Sequence, residues 1–393
     1  MRRVLEESFR AAVAAADPLK ILAAHLPPPP RGRIFVAAAG KAAASMSLAV
    51  ERHYTVPIEG IAVTRYQHGL ATKRIRVVEA GHPVPDEAGE RAAREILESA
   101  KRLGPDDLLL VLISGGGSSL LSLPAPGVSM AELKALTGKL LKSGAEIREM
   151  NTVRKHLSAI AGGRLATACR GKVVALIISD VVGDDPTHIA SGPCAADPTT
   201  IDDARAILAR YRIDYRGPFS ESPKAVEAEN MVVATALRSL EAAAEVFRKQ
   251  GIRPEILGDT ITGEAHEVGK EMAQLAKRTK GPAALISGGE CTVTIEDTKE
   301  NEGGRGGRCA EFLLSLGIET GGIWAIAADT DGIDGSEDNA GAILTPESMQ
   351  KDVDAKAFLA RHDSYGFFQR LGDLVVTGPT RTNVNDYRAI LVA

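Results

Sequence analysis

The chain has 393 residues, too many for one ordinary hydrophobic core, so two domains are expected. Hydrophobic residues make up 44% and charged residues 25%, as in a water-soluble globular protein, while aromatics, at 4%, are too few to stack single-stranded nucleic acid. The net charge of −4 gives no general attraction to nucleic acid or to an anionic membrane, so any anionic ligand must be met by locally placed cations.

Residues 1–22 read as an amphipathic helix whose Glu6, Glu7 and Asp17 are unlike a secretion signal, and Pro27 to Pro30 close it. No apolar run is long enough to span a bilayer, and a cytoplasmic location is expected. Residues 34–38 form a first strand that stops at Gly40-Lys41, before an alanine-rich helix. Residues 61–64 and 75–79 are further strands. The second leads into Gly-His-Pro-Val-Pro-Asp, with Asp86 placed to cap a helix running to about Lys101. Residues 108–113 are all Leu, Val or Ile, which suits a strand buried on both faces. The chain then reads Ser114-Gly115-Gly116-Gly117-Ser118-Ser119. Consecutive glycines let bare N–H groups approach a ligand closely, and at a strand's carboxyl end they make either a nest for an anion, typically phosphate, or simply a tight turn.

Asn151-Thr-Val-Arg-Lys-His starts a helix with Asn151 as its N-cap and Arg154, Lys155 and His156 clustered; they face either solvent or an anion. Residues 173–178 are another buried strand, followed by a long polar loop. Strands separated by helices imply a parallel sheet covered on both faces. The stretch 211–230 lacks periodicity and marks a domain boundary, dividing the chain into 1–220 and 221–393. The α/β pattern then restarts with strands at 231–234 and 255–257. A second strand of the Ser-Gly-Gly type ends in Ser287-Gly288-Gly289-Glu290, a second candidate phosphate loop. A Gly/Arg-rich segment, 302–308, offers Arg305 and Arg308 as forks for carboxylate or phosphate, and late strands cover 323–327 and 374–377. Nearly every strand stops at a polar or glycine-bearing loop, the edge where open α/β sheets collect ligands.

The common phosphate signatures are missing. Neither a Walker loop nor a dinucleotide G-x-G-x-x-G after a strand occurs, which counts against a P-loop kinase and a Rossmann dehydrogenase. Lys41, at the end of the first strand, can hold a phosphate or carboxylate. Asp180, Asp184 and Asp185 crowd one loop, and Asp329, Asp331 and Asp334 another. Oxygen-rich loops of this kind suit Mg²⁺, which shares its shell with phosphates, although some of these carboxylates serve as turn-formers and caps. Ile333 and Ala340 stand where an EF-hand needs ligands, so that calcium loop is excluded. His82 and His188 lie in proline-bearing loops with no G-x-S-x-G in the chain, so a hydrolytic triad is not expected. Cys169, Cys194, Cys291 and Cys309 are scattered and suggest neither zinc nor a disulfide framework.

Taken in order, Ala39-Gly40-Lys41-Ala42, Gly81-His-Pro-Val-Pro-Asp86, the Ser114 to Ser119 loop, Asn151 to His156, Ile189-Ala-Ser-Gly-Pro193, Ser287-Gly-Gly-Glu290, Gly306-Gly-Arg308, Asp329-Thr-Asp-Gly-Ile-Asp-Gly335 and Thr377-Gly-Pro-Thr resemble the two-domain glycerate 2-kinase family, whose members are often labelled hydroxypyruvate reductases. The resemblance implies ATP-dependent phosphorylation of D-glycerate at its 2-hydroxyl with Mg²⁺. It also implies two α/β/α domains with largely parallel sheets: a larger Rossmann-like N-terminal domain, a smaller C-terminal one, and the active site in the cleft between them. Lys41 and Arg308 match the family's active-site lysine and arginine. The loops Ser114 to Ser119 and Ser287 to Glu290 are then expected to bind ATP, His82, Arg154 and Lys155 the glycerate, and Asp180, Asp184 and Asp331 the metal. Cys309-Ala310 depart from the usual Asn-Gln after Gly-Gly-Arg, Cys194 follows Pro193 where Thr is usual, and Arg381 replaces a glycine. The competing enzyme reading is an NAD(P)H-dependent hydroxypyruvate reductase, and the non-enzyme reading a sugar-acid or nucleotide sensor. No nucleic-acid or membrane partner is expected, and the assembly is open between monomer and homodimer. Lys41 and Arg308 are expected to face solvent, so their removal should leave the fold intact.

Overall fold

In a computed structural model that describes residues 1–295, 304–350 and 353–393, the apolar runs of the first half pair into one sheet. Strands β1 (Ile34–Ala39), β2 (Ile58–Arg65), β3 (Ile75–Ala80), β4 (Leu108–Ile113), β5 (Lys172–Ile178) and β6 (Glu229–Ala234) lie in the order β3-β2-β1-β4-β5-β6. The pairings among β1 to β5 are parallel. β1 and β4 are buried along their whole length, which is why they read as unbroken apolar runs rather than alternating ones. Their register sets Ala39 beside Ile113, so the chains leaving both strands start at the same level of one sheet edge.

The second sheet is built differently. It comprises β7 (Arg253–Gly258), β9 (Ala283–Gly289), β11 (Ala325–Asp329), β12 (Gly341–Leu344), β13 (Leu374–Val375) and β14 (Asp386–Val392), in the order β13-β12-β11-β14-β9-β7; β8 (Gly263–Glu264) and β10 (Cys291–Thr292) pair separately. Among the described neighbours within this six-stranded sheet only β7 and β9 pair in parallel; β14 is antiparallel to both β9 and β11, and β12 is antiparallel to β11 and β13. The largely parallel arrangement expected of both halves therefore holds for the first sheet, while the second is mixed. Residues 330–340 join β11 to β12 without a helix, and so short a link can only reverse direction. Neither β12 nor β14 was among the strands expected from the sequence.

The chain divides into one compact unit of residues 18–233 and another of residues 1–17 with 234–393. This differs from a division at residue 220 in both the boundary and the place of the first helix, Arg2–Ala15. The reason lies in its apolar stripe. Leu5, Phe9 and Ala12 are buried with Leu240, Phe247 and Tyr387 in one cluster. The rings of Phe9 and Tyr387 lie 5.9 Å apart, and Tyr387 Oη donates to Ser8 Oγ at 2.7 Å. The helix Ile147–His156 also starts earlier than expected: Glu146 caps it with Glu149 as capping box, which leaves Asn151 in its interior. Glu302 and Gly303, the start of the Gly/Arg-rich segment, lie outside the described residues. No helix among the described residues is long and apolar enough to cross a membrane.

Because Phe9 is buried against residues from the far end of the chain, Phe9→Ala is expected to cost about 3–5 kcal/mol. Chemical denaturation of the full chain measures this, and an unchanged midpoint would show that the first helix is only an appendage.

Candidate active site

Two loops meet at the edge of the first sheet. After β4, Ser114 Oγ accepts the Ala42 N–H at 2.9 Å, and the Ser114 N–H reaches back to the Ala39 carbonyl at 3.1 Å. The Lys41 N–H donates to the Gly115 carbonyl at 2.9 Å. A side chain at Gly40, whose φ is +129°, would meet Ser114 Oγ at 2.2 Å, so this approach requires glycine. Gly116 adopts a left-handed conformation and turns the chain into the short helix Gly117–Leu120. A Cβ there would lie 2.8 Å from His82 Nε2 and 3.6 Å from Lys41 Cγ. The sequence-predicted Lys41, His82 and glycine loop are thus brought together. The amides of Gly115 and Gly116 donate to no protein acceptor among the described residues, as an anion-binding nest requires.

Around this loop is a pocket of about 330 Å³, lined by His82, Gly116, Ser118, Ser119 and Arg154 and by the apolar Leu133 and Leu141. Arg154 Nη2 donates to the Ser118 carbonyl at 3.0 Å, yet no carboxylate lies within ion-pair distance of it among the described residues. Burial pulls its guanidinium below arginine's ordinary value. A half-buried cation without a counter-ion is costly, and a ligand carboxylate or phosphate would relieve that cost. The Ile189-Ala-Ser-Gly-Pro stretch backs the loop: Ser118 Oγ and Ser191 Oγ lie 2.9 Å apart, and Ser191 Oγ donates to Asn151 Oδ1 at 3.3 Å. The helix Met130–Lys142, which supplies the apolar wall, was missed as a site element. Its signal was present in the Ser129/Glu132 capping box and the apolar spacing that follows.

Lys155 does not share the pocket. Its Nζ is buried in an ion pair with Asp197 Oδ1 at 3.1 Å, and Asp197 also accepts from Ser222 and Thr199. Successive residues of a helix point about 100° apart, so Arg154 and Lys155 cannot serve one face. Asp180 and Asp184 stand half-exposed just beyond β5, at the same sheet edge as the glycine loop. No group of three metal-ligating side chains occurs among the described residues. One or two carboxylates completed by phosphate oxygens and water is nevertheless the usual arrangement for Mg²⁺, and Asp180 and Asp184 fit it. Asp331 fits less well: it is buried, and its Oδ1 accepts the Ile333 N–H at 2.9 Å.

In the second unit, Ser287, Gly288 and Gly289 are not a loop. They continue β9 and pair with Arg388, Tyr387 and Asp386 of β14. Arg308 opens the helix Arg308–Thr320. Its Nε donates to Asp386 at 2.9 Å, its Nη2 to Asp329 at 2.8 Å, and its Nη1 lies 3.1 Å from Glu290. Burial alone would lower its pKa, but Asp386, Asp329 and Glu290 outweigh that and hold it well above arginine's ordinary value. Asp334 occupies the start of the helix, accepting the N–H groups of Cys309 and Ala310 at 3.0 and 2.8 Å; burial pushes its carboxyl up to about 7. That end of the helix is therefore not open to phosphate. Cys309 and Ala310 are themselves fully buried. Arg305 stacks over Tyr365, 4.9 Å from the ring centre. Asp386 was missed because nothing near it in sequence marks it as a partner of Arg308.

Residues 4–223 match the family described as a domain of unknown function (DUF4147), and residues 283–386 match the MOFRL family. A protein of Agrobacterium vitis provisionally named a hydroxypyruvate reductase is 52% identical over 100% of this chain and 94% of its own length. Glycerate 2-kinase of Pyrococcus horikoshii is 41% identical over 90% of this chain and 86% of its own. The crystal structure of glycerate kinase from Thermotoga maritima matches with a TM-score of 0.89 at 36% identity, covering 100% of this chain and 99% of that one. With its ordered motifs and a kinase relative matched over most of both sequences, the chain belongs to the glycerate 2-kinase family.

Proposed function

We propose that the protein transfers the γ-phosphoryl group of ATP to the 2-hydroxyl of D-glycerate, giving 2-phosphoglycerate. The observation that carries this reading is the meeting of Lys41, His82, the open amides of Gly115 and Gly116 and the unpaired Arg154 at one sheet edge. Phosphoryl transfer asks a protein mainly for positioning and positive charge. The glycine loop would hold phosphate oxygens through its N–H groups, Lys41 would neutralise the transferred group, and Arg154 would take an anionic group of the ligand, such as the glycerate carboxylate. Arg308 is the second cation of this reading. Mg²⁺, when bound, would screen charge between the β- and γ-phosphates, with Asp180 and Asp184 as its protein ligands. The kinase relatives support the same chemistry. A cytoplasmic location belongs to this reading, and the mass in solution decides between monomer and homodimer.

One observation favours a second reading. The order β3-β2-β1-β4-β5-β6 is that of dinucleotide-binding folds, and the Agrobacterium vitis relative carries a reductase name. However, the turn after β1 holds Gly40-Lys41 in place of the dinucleotide glycine fingerprint.

With ATP, Mg²⁺ and D-glycerate, ADP should form, and enolase alone should convert the product to phosphoenolpyruvate. A need for phosphoglycerate mutase would identify the 3-phosphate instead, and NADH consumption with hydroxypyruvate would establish the reductase.

Steady-state kinetics separate the cations. Lys41→Ala is expected to lower kcat on the order of 10²–10³-fold, as for loss of one transition-state donor. Arg154→Ala should chiefly raise KM for glycerate, by about 10- to 100-fold, the worth of a charged hydrogen bond. A normal KM would remove Arg154 from glycerate binding.

Arg308→Ala differs from the expectation that its loss leaves the fold intact. The side chain is held by two carboxylates that are 0% and 3% exposed, so truncation leaves them short of charge and should cost about 3–5 kcal/mol in a melt. A melt unchanged from wild type would show that Asp329 and Asp386 find other partners.

A further inference from the structure

Arg308 raises a difficulty for any role in holding an anion, because one guanidinium already faces three carboxylates. The three are not equivalent. Asp386 is 0% exposed and Asp329 3%, whereas Glu290 is 55% exposed. Asp386 is tied further by Arg388 Nη2 at 2.9 Å, and Asp329 Oδ1 accepts the Asp331 N–H at 2.9 Å. These two carboxylates fix the plane of the Arg308 guanidinium and cannot leave without stranding buried charge. Glu290 meets the remaining nitrogen, Nη1, from the solvent side.

The backbone confines any movement of Glu290 to its side chain. Gly289 ends β9 and Cys291 begins β10, so residue 290 is anchored on both sides. An exposed carboxylate that swings off Nη1 regains water at little cost, and the ion pair it gives up is worth little.

We propose that Glu290 is a displaceable counter-ion: it occupies Nη1 of Arg308 in the free protein and yields it to a phosphate or carboxylate of the ligand. This rests on the reading in which Arg308 meets an anionic group of ATP or glycerate. Glu290 then competes with the ligand and is not itself a contact to the nucleotide. The nitrogen kept for the ligand is thereby covered until the ligand arrives, while the other two nitrogens keep the guanidinium aimed. Glu290 is a positioning residue in this account, not a catalytic one.

The test uses Glu290→Gln in the full chain, which keeps the shape of the side chain and removes its charge. Glu267→Gln makes the same change in net charge at an exposed helix position whose carboxylate pairs with Lys270 and His266 instead of Arg308, and serves as control. Calorimetry with inorganic pyrophosphate should show Glu290→Gln binding about 2- to 5-fold tighter than wild type, the worth of an exposed ion pair. The control should match wild type, and the gain should shrink as salt rises. In the kinase assay, KM for ATP or glycerate should fall with kcat nearly unchanged. In an Arg308→Lys background, where the fork is lost, the gain should largely vanish.

A kcat lowered tenfold or more would overturn the proposal by placing Glu290 on a metal or a reacting group. Equal pyrophosphate affinity in wild type and Glu290→Gln would also overturn it, as would an equal gain in the Glu267→Gln control. Should neither wild type nor variant phosphorylate glycerate while the pyrophosphate difference persists, the kinase reading fails and the counter-ion stands. A working kinase without that difference sinks the counter-ion alone.

Discussion

One hydroxyl ties together the two strand ends on which the proposed chemistry depends. Ser114 Oγ accepts the Ala42 N–H, and the glycine beside Lys41 exists to let that serine approach. Parallel register alone brings β1 and β4 to the same edge, but it does not say how their loops lie against each other. The hydrogen bonds from Ala42 to Ser114 and from Lys41 to Gly115 settle that, so the lysine and the glycine loop behave as a single piece. Positioning of this kind is most of what a phosphoryl-transfer site needs, since the reacting groups bring their own bonds to make and break.

The two arginines of interest are handled in opposite ways. Among the described residues Arg154 has a carbonyl and no carboxylate, a state that costs stability and leaves the charge for a ligand. Arg308 has more negative charge around it than it needs, which makes it rigid and shields it. Lys155, next to Arg154 in sequence, follows neither pattern: its pair with Asp197 is sealed in the protein and ties the helix Ile147–His156 to its surroundings. Residue type therefore says little about role here, and the number and burial of partners say more.

The first sheet was legible in the sequence because strands buried on both faces leave unbroken apolar runs, and its loops were legible because glycine is needed where backbones approach closely. The second Ser-Gly-Gly looked like the first and is not. Its glycines lie within a strand flanked by β14, and nothing local to residues 287–289 reports the direction of a neighbour that lies a hundred residues away. The carboxylates around Arg308 come from residues 290, 329 and 386, a convergence that only the folded sheet produces. The first helix was recognised as amphipathic, but an apolar stripe does not name the surface it will cover.

That helix has a consequence for how the chain is made. Leu5, Phe9 and Ala12 leave the ribosome before the unit at 18–233, while Leu240, Phe247 and Tyr387, the residues that bury them, come after the whole of it. At ordinary rates of synthesis the interval is on the order of tens of seconds. During it the nascent chain carries a greasy stripe whose buried partners are not yet made, the kind of surface that holding chaperones grip. Residues 18–233 can close as a continuous stretch while residues 1–17 and 234–393 wait for each other, and their unit completes only when β14 emerges to meet a helix made before the intervening unit.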